Sequence, residues 1–135
     1  MLGVGVAETV KLIIAVALGG ALGAVGRYLI SAQVAQWFSS NIPWSTLLVN
    51  VIGSFILGAL YECGVLFWHP SDELKAFLVV GILGGFTTFS TFSLDVVLLF
   101  ERGHWGIGVL YAVGSMLLAI LGLVVGVLLI RSIFT

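Results

Sequence analysis

The chain has 135 residues, 61% hydrophobic and 8% charged, with a net charge of −1 and a mean hydropathy of +1.27, which places it among integral membrane proteins and excludes a soluble globular domain. It has no basic cluster to attract nucleic acid or anionic lipid, so no nucleic-acid partner is expected. The single cysteine, Cys63, forms no intrachain disulfide, and neither it nor His69 and His104 shows a metal-ligand spacing.

Four apolar stretches, roughly 12–37, 44–68, 74–100 and 105–130, each exceed the ~20 residues that cross a ~30 Å hydrocarbon core. The chain 1–135 therefore reads as a single all-α membrane domain of four helices, with neighbouring helices antiparallel because the connections are short. The first stretch reads as a span and not a secretory signal: its first basic residue is Lys11, and the apolar run after it is too long and contains Arg27. Gly19 and Gly23, one turn apart, suit close helix packing. Arg27 is expensive in lipid and must find a carbonyl, a carboxylate or water, or else snorkel to the interface that Ser31, Gln33 and Gln36 suggest. Ser39, Ser40, Asn41 and Pro43 form the first turn, and Trp37, Trp44 and Trp68 fall where an aromatic belt belongs.

In the second span Thr46, Asn50 and Ser54 recur every fourth residue and stack on one helix face. They are either hydrogen-bonding glue between helices or part of a polar path. Asn50 is the sharpest of the three, because its amide donors must be satisfied in hydrocarbon. Ser71 or Asp72 is placed to cap the third helix. That third stretch carries the most informative run, Gly84-Gly85-Phe86-Thr87-Thr88-Phe89-Ser90-Thr91-Phe92-Ser93. Paired glycines weaken helical order, β-branched threonines follow at once, and hydrocarbon tolerates broken backbone only where protein buries it or a wet cavity meets it. The run predicts a broken helix and a polar path or ion site near the bilayer middle. The last stretch has Tyr111 and Ser115 one turn apart, then Gly122 and Gly126 as a packing notch.

Orientation follows from counting basic residues. Lys11, Lys75 and Arg131 share one side of a four-span chain; Arg102, with Arg27 if it reaches an interface, lies on the other. So weak a positive-inside bias permits insertion both ways and an antiparallel pair of identical subunits.

These residues resemble the Fluc family of fluoride channels, also called the CrcB family. The resemblance rests on the third-span run, on Thr46 to Phe55 in the second span, and on Gly19-Gly20-Ala21-Leu22-Gly23 through Arg27 in the first; it covers nearly the whole chain. It implies a subunit with a broken third helix that pairs with an inverted copy as a dual-topology homodimer in the cell's inner (plasma) membrane, surrounded by membrane lipid, with two pores at the interface. It also implies a central structural sodium ion (Na+) held by the backbone carbonyls of Gly84 and Thr87 from both subunits. Asn50 would donate to fluoride, Phe89 and Phe92 would present their positive ring edges, and Ser90, Thr91, Tyr111 and Ser115 would form a hydroxyl track. Arg27 would raise the potential of an aqueous vestibule. Two departures stand out: Ala119 replaces a small or hydroxyl residue that would extend the track, and Asp95 stands where relatives often have Glu.

The resulting expectation is a passive fluoride-selective channel, not an enzyme, that exports cytoplasmic fluoride and relieves its toxicity. Two alternatives remain at this point. A small dual-topology, proton-coupled cation or drug exporter needs a carboxylate deep in a span, for which Asp95 is the candidate. A non-transporting membrane assembly subunit would use the glycines and Asn50 as glue. An intramembrane enzyme lacks paired carboxylates or a Ser–His set.

Overall fold

A computed structural model describes residues 5–135. The described residues are all-helical: α1 (Val6–Trp37), α2 (Trp44–Leu66), α3 (residues 72–86), α4 (Ser90–Glu101) and α5 (Trp105–Phe134). Four helical runs are long and apolar enough to cross a membrane, α3 and α4 together making the third, Asp72–Glu101. This is a multi-pass membrane protein. The first and last helices extend past the apolar stretches, α1 beginning at Val6 and α5 reaching Phe134.

The caps follow the sequence. Ser71 Oγ accepts from the Leu74 amide at 3.2 Å and starts α3, with Asp72 and Glu73 in the first turn where the helix dipole favours negative charge. Trp44 opens α2 and donates its indole N–H to Ser40 Oγ at 3.0 Å, which ties the first turn to the helix it precedes.

Two helix pairs make the framework, α1 with α3 and α2 with α5, and α4 leans on α5. Small residues let the backbones approach. A Cβ added at Gly19 or Gly23 would run into the backbone of Phe77 or Ile82, and one at Gly85 would meet Gly20 O at 2.7 Å. On the other pair, Gly58 and Gly126 lie against the backbone of Leu123 and Phe55. Between Ala76 and Leu83, α3 widens into a π-helix, a form that gathers at functional irregularities. Few side chains are buried; most large apolar ones face outward, because lipid tails are as good a solvent for them as a protein core.

α3 ends at Phe86. Thr87 is extended (φ −82°, ψ 158°), and the helix resumes only at Ser90. The third span is thus bent and interrupted at residues 87–89, midway along its length.

Candidate functional site

Four side chains hold the interruption open. Asn50, on α2, uses its amide twice: Oδ1 accepts from the Thr88 N–H at 2.8 Å, and Nδ2 donates to the Thr88 carbonyl at 3.0 Å. An interrupted backbone in hydrocarbon must have its polar groups paired, and one primary amide pairs both groups of Thr88. Thr88 Oγ1 accepts from the Thr91 N–H at 3.2 Å and donates to Thr91 Oγ1 at 3.1 Å, satisfying an amide in the first turn of the resumed helix. Thr87 turns its hydroxyl back to the Leu83 carbonyl at 2.8 Å. From α1, Arg27 Nε donates to the Gly85 carbonyl at 3.1 Å. One of the outcomes open to Arg27 on sequence grounds, a carbonyl partner, is met at the end of α3, where the helix dipole is negative.

Beside the interruption runs a groove of about 340 Å³. It gathers Asn50, Gly84, Thr87, Phe89, Phe92 and Ser115 from four separate elements. The rings of Phe89 and Phe92 are tilted at 43° with centroids 5.6 Å apart, and Phe92 stands 5.5 Å from Tyr111 at 39°. The three aromatics form a continuous series from an exposed end, Phe89 at 76% exposure, to a buried one, Tyr111. Ser115 Oγ is buried on the groove wall with no hydrogen-bond partner among the described residues. A buried hydroxyl without a partner is uncommon, and this one lines the space.

The remaining candidates lie elsewhere. Arg27 and Thr91 line a second cavity of about 290 Å³ with Thr46 and Thr88. The polar stripe of α2 is therefore divided: Thr46 faces that cavity, while Asn50 and Ser54 face the groove. Ser90 is exposed, its Oγ 3.5 Å from Thr88 Oγ1. The Tyr111 hydroxyl donates to Asp95 Oδ2 at 3.1 Å, which gives the shorter carboxylate a partner within the chain. Ala119 lines the groove together with Ser115.

Sequence reasoning missed two features. In the sequence Thr88 is only a member of its motif, yet it is the residue around which the interruption is bonded. Glu62 is 1% exposed and forms a two-pronged ion pair with Arg131, Nε to Oε1 at 2.9 Å and Nη2 to Oε2 at 3.2 Å. A signal for that pair existed, since the second and fourth spans run parallel and each ends in one of these charges.

An interrupted transmembrane helix, bonded on one side and lined by aromatic and hydroxyl groups on the other, defines a small multi-pass membrane protein built around a polar discontinuity at mid-span. Residues 14–127 match the family described as CrcB-like protein, Camphor Resistance (CrcB), and the chain belongs to that family. It is similar to a protein of Rhodospirillum centenum named fluoride-specific ion channel FluC, 53% identical over 122 residues, which are 90% of this chain and 97% of that one. Proteins of the same name from Agrobacterium fabrum and Nitrobacter winogradskyi are 46% and 44% identical, covering 88% and 90% of this chain and 95% and 96% of theirs.

Proposed function

We propose that this chain is a passive, fluoride-selective channel that lets cytoplasmic fluoride leave the cell, working as an inverted homodimer with two pores around a central sodium ion. The observation that carries the reading is the identity of 53% with a fluoride-specific ion channel along 90% of this chain. The groove adds a physical rationale. Fluoride is small and strongly hydrated, so a path for it must replace water with hydrogen-bond donors and polarised ring edges. Phe89 and Phe92 supply edges, Ser115 an unpartnered hydroxyl, and Asn50 a second amide hydrogen beyond the one given to Thr88.

The interruption also creates two opposite partial charges side by side. The C-terminal end of α3 is negative and suits a cation, while the N-terminal end of α4 is positive and suits an anion. The sodium site fits the chain's own groups: the carbonyls of Gly84 and Thr87 lie at the end of α3, and oxygen donors of this kind suit a hard cation. Bound there, sodium would supply a fixed positive charge between two anion paths. The inverted pairing is favoured by the weak bias of basic residues and by the exposure of Phe89, which a second copy would cover.

The test is fluoride efflux from liposomes holding only this purified chain. The expected result is electrogenic efflux that ignores an imposed proton gradient. Exchange of an organic cation for protons would replace the channel with the exporter, and a requirement for a copurifying larger protein would favour the assembly subunit.

A further inference from the structure

We propose that Thr88 is a positioning residue that keeps the Thr87 carbonyl free for the cation, as Asn50 does for the Gly84 carbonyl, each by diverting the amide that would otherwise close it. The inference rests on the sodium site of the proposed function and assigns a cause to its existence.

In an uninterrupted helix each N–H donates four residues back. Thr88 N–H would then close Gly84 O, and Thr91 N–H would close Thr87 O. Here the Thr88 N–H goes to Asn50 Oδ1 at 2.8 Å, and the Thr91 N–H goes to Thr88 Oγ1 at 3.2 Å. Both diversions are made by side chains, and both deprive a carbonyl at the break of its helical donor. Most neighbouring carbonyls are occupied. Leu83 O accepts the Thr87 amide at 2.9 Å and its hydroxyl at 2.8 Å, and Gly85 O accepts Arg27. Thr88 O accepts Asn50, and Phe89 O accepts the amide and hydroxyl of Ser93, each at 2.9 Å. Phe86 O also lacks its helical donor, but no side chain diverts it; the chain simply turns away at Thr87.

A carbonyl left without a donor in hydrocarbon is unstable alone and is stabilised by whatever completes it. Oxygen-only donors favour a hard alkali cation over a soft metal. The Thr88 hydroxyl thereby links the two halves of the break: it accepts an amide from the first turn of α4, and in the same contact leaves Thr87 open at the end of α3.

The experiment compares Thr88→Val, which keeps the shape and loses the hydroxyl, with Thr88→Ser, which keeps the hydroxyl. The readout is the midpoint of thermal unfolding of the detergent-purified chain as NaCl replaces choline chloride. For the unsubstituted chain and Thr88→Ser, the midpoint should rise saturably with sodium. For Thr88→Val the Thr91 amide returns to Thr87 O, and half-saturation should move to about tenfold more sodium, the size of one hydrogen-bond preference. Thr88→Ala carries the same comparison if the valine variant does not purify folded. A hydroxyl that served only the fold would lower the midpoint equally in both salts, and that result overturns the proposal. So does an unsubstituted chain indifferent to sodium. Fluoride efflux measured on the same preparations decides the channel reading separately, so failure of one leaves the other standing.

Discussion

A primary amide has two N–H donors and one carbonyl acceptor, and Asn50 uses one donor and its acceptor on the Thr88 backbone. Asn50→Asp removes the donor and sets a carboxylate oxygen against the Thr88 carbonyl. Fluoride efflux from liposomes should fall by about 30-fold or more, the equivalent of roughly 2 kcal/mol in a buried hydrogen bond exchanged for repulsion. Phe92→Ile keeps most of the buried volume and removes the polarised edge between Phe89 and Tyr111. Efflux should drop about tenfold while the protein still elutes as a single species. The Glu62–Arg131 pair predicts an asymmetry. Arg131→Gln strands a buried carboxylate and should lower the thermal midpoint, though by less than the loss of a fully buried pair would, because the arginine side chain is 54% exposed. Adding Glu62→Gln to that variant should restore much of the loss, read as the thermal midpoint in detergent. Unequal burial of the two partners sets this order: the arginine can reach water alone and the glutamate cannot.

Among the elements, the third span shows how local composition and packing divide the work. Gly84-Gly85 and the threonines after them announce a weak helix, and the break falls at Thr87 to Phe89 as that weakness requires. The widening of α3 over Ala76–Leu83 has no such announcement. Its residues are ordinary apolar ones apart from Gly81, and the distortion accompanies the close approach of Gly81 to the Gly19 backbone. On α5 the same distinction separates glycines that look alike in sequence. A methyl at Gly126 would strike the Phe55 carbonyl, whereas one at Gly114 meets nothing within 4 Å. Gly126→Ala should therefore destabilise by about 1–3 kcal/mol, and Gly114→Ala should stay within about 0.5. Thermal midpoints of the two purified variants check the contrast.

At the scale of the whole molecule, the chain leaves its groove open, with Phe89, its most exposed ring among the described residues, on the lining. The proposed inverted partner would cover this face. With Lys11, Lys75 and Arg131 on one side and Arg102 on the other, neither orientation is strongly preferred. The Glu62 carboxylate further engages one of the three. Single cysteines placed at Ser40 and at Ser71, in a Cys63→Ser background, should each be labelled by an impermeant thiol reagent from the outside of cells to a similar extent. Labelling of one position alone would establish a single orientation and remove the inverted pair.

The sequence by itself determined the solvent, the number of crossings and the place of the interruption, because each depends on properties carried by short stretches: apolar length, glycine pairing and β-branching. It also singled out Asn50, since an amide in hydrocarbon demands a partner wherever it sits. What the partner is, only the tertiary structure decided. That Asn50 meets Thr88, that Arg27 meets Gly85, and that Glu62 meets Arg131 are contacts between residues 38, 58 and 69 positions apart. Such contacts are set by how α2 docks on α5 and on the interrupted third span, and α1 on α3; the glycine pairs and the polar stripe mark faces that pack, but in helices so apolar they do not say against which neighbour.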